Sequence, residues 1–200
     1  MKYIALDLET TWLDPRHDTI IEIAAIRFGV EETRIVPEEE HSMLVAPWFP
    51  LSHQVSMITG ITNTMLEGRQ SWEQIRMNVQ QFIDTGDIFV WHNVSLDISF
   101  LEAHGITFPK QNGAIQTLDT FELAQIFSLE SESLNLAFLC KKYALGWGWE
   151  HRALEDVKMS LSLLSFYLQK DLTHYEDAVL RFFCEHEKIQ SSISLFCDLK

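Results

Sequence analysis

His151 and Asp156 stand five residues apart in "HRALEDVKMS". On one continuous helix, that spacing would leave their side chains roughly 140° apart. An imidazole titrates near neutrality and suits general-base work. An aspartate offers a hard oxygen to a divalent cation. The two can serve one site only if the histidine lies on a loop and the aspartate on the helix that follows. Two more acids, Asp7 and Glu9, interrupt the apolar stretch "YIALDLE". At i and i+2 on a strand they share a face, roughly 7 Å apart. Asp97 falls one turn into "SLDISFLEAHG", directly after the apolar "DIFVWH". Four acids gathered in one place would repel one another without cations. Such a set suits Mg2+ or Mn2+, which choose carboxylate oxygens over thiols.

Each signal also has a plainer explanation. The first strand can end near Leu6, leaving Asp7 and Glu9 as solvated turn residues. Asp97 and Asp156 can be helix-terminus acids, each favoured by the macrodipole by roughly 0.3–1 kcal/mol. A lone loop histidine is usually just exposed. The order of the four signals along the chain is what sets them apart: strand pair, helix acid, loop histidine, helix acid.

The elements that must position these residues are legible in the patterning. Apolar runs predict strands over 2–9, 19–29, 41–47, 87–92 and 114–120, with a β-stretch at 33–36 inside the acidic connection "VEETRIVPEEE". The first three, with short links, suggest an antiparallel meander. Helices are expected over 71–84, with Ser71 as N-cap, 95–105, 133–145, and from Leu154 onward, with a last one at 173–188. Phe121, Phe127, Phe138, Phe166, Phe182 and Phe183 fit helical core spacing. The segment "GWGWEHRA" reads as a glycine-containing loop, which would place His151 off the helix and Asp156 on it. Strands followed by strand–helix alternation give a mixed α/β sheet covered by helices.

Two hundred residues make one ordinary domain. The composition, 46% apolar and 22% charged, is that of a soluble globular chain. No apolar run reaches the ~20 residues of a membrane span, and the N-terminus reads as a strand, not a signal peptide. Three cysteines without a CxxC pair argue for a reducing, cytoplasmic setting. The formal charge of −14 argues against a general nucleic-acid binder with a basic surface.

With those motifs in view, the chain resembles the 3′–5′ exonuclease superfamily named for its Asp-Glu-Asp-Asp tetrad, in the branch with a catalytic histidine. That branch includes the proofreading subunit of bacterial DNA polymerase III, ribonuclease T and oligoribonuclease. The match rests on "ALDLETTWLDP", "WHNVSLDISFL" and "HRALEDVKMS" and spans about residues 2–170. Trp12 stands where the family often has glycine, Leu96 where it often has phenylalanine, and Val157 where alanine is common. None of these removes a ligand.

The resemblance implies a ribonuclease H-like fold, a central mixed five-stranded sheet flanked by helices. It implies an exonuclease domain at 1–170 and a helical extension at 171–200 that packs on it or links onward. It implies two Mg2+ or Mn2+ ions held by Asp7, Glu9, Asp97 and Asp156, with His151 as general base. The backbone at Thr10 and Thr11 is expected to hold a 3′-terminal nucleotide, and Trp12 and Leu13 to stack on or wedge its base. Asn93 can orient a water or phosphate, or merely cap a helix. Arg16, Arg152 and Lys158 lie near the motifs and can meet phosphates, or can be ordinary surface cations.

The expected activity is release of nucleoside 5′-monophosphates from single-stranded DNA 3′ ends. Action on RNA ends is the alternative, and a catalytically silent interaction module the minor one. A polymerase or helicase partner or fused domain is compatible with all three. The scarcity of basic residues points to a small footprint and a shallow salt dependence.

Overall fold

The computed structural model describes residues 1–146, 151–170, 195–196 and 199. Alternation along the first strand, β1 (Tyr3–Thr10), sets the plan. Ile4 and Leu6 enter one apolar cluster, and Tyr3 and Ala5 the opposite one. Asp7 and Glu9 continue the Tyr3–Ala5 side by the same two-residue period. β1 pairs antiparallel with β2 (Ile20–Glu31), which pairs antiparallel with β3 (Arg34–Leu44). On its other edge β1 runs parallel to β4 (Ile88–Trp91), and β4 runs parallel to β5 (Thr117–Asp119). The order is β3-β2-β1-β4-β5. This is the expected antiparallel meander extended into a parallel half, a mixed sheet of ribonuclease H-like form. Every residue of β4 is buried, as befits a strand covered on both faces.

Helices cover the two faces. α3 (Trp72–Ile83) and α4 (Ser95–Ala103) bury their apolar sides against the Ile4–Leu6 face. Ser71 and Gln74 close a capping box at the start of α3, as its sequence predicts. α5 (Thr120–Phe127), α6 (Leu136–Lys142) and α7 (Ala153–Leu168) cover the other face around Leu123, Leu139 and Leu164. The short helices α1 (His53–Thr59) and α2 (Asn63–Leu66) form a smaller cluster on Ile21. Among the described residues no helix is long and apolar enough to cross a membrane.

Several elements differ from the expected bounds. The third strand is not 41–47 with a separate stretch at 33–36; it is one strand, Arg34–Leu44. Pro37 is tolerated inside it because β3 is the sheet's outer strand and the register shifts beside Phe28, its partner. The strand expected at 114–120 shrinks to three residues, and the helix expected at 133–145 to Leu136–Lys142, opened by the Asn135 cap. Phe121 is only half-buried and stands edge-on to His92 rather than in the core. The helix expected at 173–188, with Phe182 and Phe183, lies outside the described residues, as do Trp147 and Trp149. Phe196 and Leu199 join the main core, and the Phe196 ring lies 5.2 Å from that of Phe127.

Candidate active site

Three elements bring the acids together. Asp7 lies opposite Ala24 and Glu9 opposite Glu22, all on one face of the β1–β2 ladder. Asp97 occupies the first turn of α4 and Asp156 the first turn of α7. His151 precedes α7 in a left-handed conformation, φ 63°. Its backbone N–H donates to Asp156 Oδ2 at 3.2 Å. The loop-and-helix arrangement that the five-residue spacing required is therefore present. Glu9, His151 and Asp156 each offer a ligand atom, and these atoms lie within 4.8 Å of one another. Asp7, Asn93, His151 and Asp156 line a cleft of about 580 Å³, walled by His92, Phe121 and the Ser133–Ala137 segment.

The electrostatics are those of crowded acids. Burial, then the charges of Asp97, Asp156, Glu9 and Glu22, hold the Asp7 carboxyl well above its ordinary range. Burial and the neighbouring acids push Glu9 up to about 8, with Arg152 opposing them. Burial pushes Asp97 up to about 7, even though its own backbone and that of Leu8 hydrogen-bond its carboxylate. Acids crowded in this way would release their protons as a divalent cation bound, so metal affinity would rise with pH. The oxygen-rich donor set fits a hard ion. Asp7, Glu9, Asp97 and Asp156 would hold it.

Two residues that the motifs did not single out build this geometry. Glu22, 1% exposed, makes a two-pronged ion pair with Arg152, at 2.8 Å to Nη2 and 3.1 Å to Nε. It also accepts from Ala153 N–H at 3.1 Å, satisfying an orphan donor at the start of α7. The clasp ties the His151–Asp156 segment to β2. Asp119 does the same for α4. Its carboxylate accepts from the N–H groups of Asn93, Val94 and Phe121 at 2.8, 3.0 and 2.8 Å. The signals were an acid inside the apolar "TIIEIAAI" and an aspartate just before a helix, but neither names its partner.

The expected substrate residues divide into groups. Trp12 and Leu13 are exposed, 48% and 64%, so Trp12 is not a core anchor. Thr10 Oγ1 donates to Trp12 O at 2.6 Å. Thr11 is buried, and its hydroxyl donates to Asp18 and accepts from Thr19 N–H, fixing the loop. Asn93, at φ 72°, presents itself to the cleft and is not the cap of α4. Arg152, expected near phosphate, commits two guanidinium nitrogens to Glu22. Lys158 lies between Glu40 and Glu155, at 3.6 and 3.7 Å. Of the three cations near the motifs, Arg16 is the most open, its side chain 81% exposed.

A family model described as Exonuclease matches residues 4–164. The PolC-type DNA polymerase III of Lacticaseibacillus paracasei is 32% identical over 174 residues, which are 85% of this chain and 11% of that protein. The PolC-type DNA polymerase III of Bacillus subtilis is 32% identical over 163 residues, 81% of this chain and 11% of that one. The chain thus spans about a tenth of the length of these relatives. Exonuclease X in complex with 5′ overhanging duplex DNA superposes with a TM-score of 0.61 at 24% identity, over 88% of this chain and 98% of that one. Escherichia coli exonuclease I in complex with a dA16 oligonucleotide gives 0.72 at 16% identity, over 97% of this chain and 45% of that one. With the sheet order and the family match in agreement, the chain belongs to the exonuclease family.

Proposed function

We propose that residues 1–170 form a metal-dependent 3′–5′ exonuclease domain that trims single-stranded DNA ends to nucleoside 5′-monophosphates. The observation that carries this reading is the meeting of Glu9, His151 and Asp156 within 4.8 Å, beside Asp7 in an open cleft. In the proposed reaction, a water oxygen bonds to the terminal phosphorus and the P–O3′ bond breaks. His151 removes the water's proton as the new bond forms. Two Mg2+ or Mn2+ ions, when bound by the four acids, would stabilise charge on the attacking and leaving oxygens. Thr10, Thr11, Trp12 and Leu13 would seat the terminal nucleotide, and Asn93 would orient the phosphate or water. Arg152 would act from behind, through Glu22, with its remaining donors near the phosphate.

DNA is favoured because the relatives are DNA polymerases by name and two of the fold neighbours were solved with DNA. An RNA-end reading has its own support, since another neighbour is the nuclease domain of 3′hExo bound to rAMP (TM-score 0.68). A polymerase context and a cytoplasmic location go with the first reading, and residues 171–200 would serve as an extension or link. The test is degradation of end-labelled single-stranded DNA and RNA of equal sequence, with Mg2+ or Mn2+, beside an Asp7→Asn control. A ladder shrinking from the 3′ end, lost in the control and in EDTA, supports the proposal and ranks the sugars. Absence of metal-dependent cleavage of either strand overturns it.

A further inference from the structure

A second hollow, of about 770 Å³, is lined in part by Pro15–Thr19, which follow the Thr10–Leu13 segment in the chain. Its wall includes Arg16, His17, Thr19, Trp48 and Arg69. Trp48 is 91% exposed, an unusual state for the largest apolar side chain. It belongs to "PWFP", in which Pro47 and Pro50 stiffen the backbone on either side. Phe49 supports it edge-on, with ring centroids 4.8 Å apart. The aromatic face is thus held out to solvent on a rigid mount. Arg16 and Arg69 stand beside it, Arg16 with its Nε 3.6 Å from Asp14 Oδ1 and Arg69 with its Nε donating to Met65 O at 3.1 Å, in a chain that has 15 cationic side chains against 29 acids. Asp18 and Glu73 also reach the hollow, but the Asp18 carboxylate is engaged by Thr11 Oγ1 and Asp14 N–H.

The hollow is continuous with the nucleotide loop. Thr11 N–H donates to Thr19 O at 2.9 Å, and Thr19 lines the hollow. Leu13 and Arg16 are three residues apart, so their Cα atoms are separated by at most about 11 Å. A strand whose last nucleotide rests on Trp12 and Leu13 reaches this hollow within a few nucleotides.

We infer that the Trp48–Arg69–Arg16 hollow is a second nucleic-acid site that stacks a base and meets phosphate of nucleotides upstream of the 3′ end. This rests on the exonuclease reading for its direction along the strand. Aromatic stacking with few cations gives sequence-tolerant binding with weak salt dependence.

The test uses the full chain, with a labelled oligothymidylate decamer and a dinucleotide as probes. Binding is measured by anisotropy in metal-free buffer, and turnover with Mg2+. The wild type should bind the decamer more tightly than the dinucleotide and show a lower KM for it. Trp48→Ala should remove about tenfold of that length advantage. Arg69→Ala should flatten the slope of log K against log salt by about 0.7. Met77→Ala, at an exposed position outside the hollow, serves as the control. Three results would overturn the inference: equal affinity of the wild type for both lengths, a length advantage untouched by Trp48→Ala and Arg69→Ala, or equal losses on both probes. The second would turn attention to a protein partner for Trp48. Length-dependent binding without cleavage would leave the inference standing and overturn the proposed catalysis.

Discussion

The acid cleft and the Trp48 hollow share no lining residue and are built in opposite ways. The acids of the site project from β1, α4 and α7, and the starts of the two helices are pinned by buried carboxylates, Asp119 and Glu22. The hollow is lined by the Pro15–Thr19 and Ala46–Trp48 loops against the start of α3 and the end of α4; its cations are exposed, and Trp48 is held out between two prolines with Phe49 against its edge. Chemistry needs acids fixed against their mutual repulsion, which takes a packed sheet and helix starts behind them. Gripping a passing strand needs only surfaces that any base can lie on.

If this contrast is right, substitutions in the cleft should act on turnover and those in the hollow on length dependence. The largest effect is expected from Asp7→Asn. Losing one of the four proposed metal ligands should cut kcat by about 10³-fold or more. The metal-free protein should melt no lower, because the neutral amide replaces a carboxyl whose ionisation burial and its acidic neighbours oppose. A variant that kept its turnover would break the account of the cleft. His151→Gln comes next, with a loss of about 10²–10⁴-fold in kcat. Calorimetric titration with Mn2+ should find its metal affinity little changed; a collapse of that affinity would recast His151 as a ligand.

Glu22→Ala tests whether the clasp positions the site. Removing one partner of a fully buried pair costs about 3–5 kcal/mol. Arg152 is 36% exposed, so about 2–3 kcal/mol is expected in urea unfolding. Glu22→Gln keeps an acceptor for Ala153 N–H and should recover part of the stability. Equal stability of both variants and the wild type would show that α7 starts where it does without Glu22.

A smaller effect is expected from pH. Glu9 moves from an ordinary 4.5 up to about 8, and Asp97 from 3.8 up to about 7. Acids raised in this way bind more protons folded than unfolded. Without metal, their contribution is therefore greatest at low pH and is lost as pH rises through those folded values. Thermal melts in EDTA should show lower Tm at pH 8 than at pH 6, and Mg2+ should restore more at pH 8. The opposite trend in EDTA would mean that the acids are not crowded. The smallest effect is that of Trp12→Ala, a few-fold rise in KM on decamer and dinucleotide alike. A rise confined to the decamer would merge Trp12 with the hollow and blur the comparison.

Much of the cleft was legible because its signals are local. An acid pair at i and i+2 in an apolar strand has one geometric consequence, and β1 bears it out. The five-residue gap between His151 and Asp156 required a loop followed by a helix, and that is what is found. The stretch at 33–36 and the strand at 41–47 proved to be one strand through Pro37, because the pattern does not say which strand will be an edge that tolerates a proline. Arg152 looked available for phosphate because its partner, Glu22, is 130 residues away. Phe121 fitted the helical core period, yet the start of α5 turns it toward His92 and the cleft wall.

The sequence by itself determined the sheet-and-helix composition, the acids and histidine that meet, and the family to which the chain belongs. Periodicity and spacing are local quantities, and they follow from backbone geometry alone. Only the tertiary structure decided how Glu22 and Asp119 hold the starts of α7 and α4, and which cations stay exposed. It also brought "PWFP" beside Arg16 and Arg69. Those outcomes depend on which distant segments share a surface, and burial then sets whether a charge is paired, protonated or left to solvent.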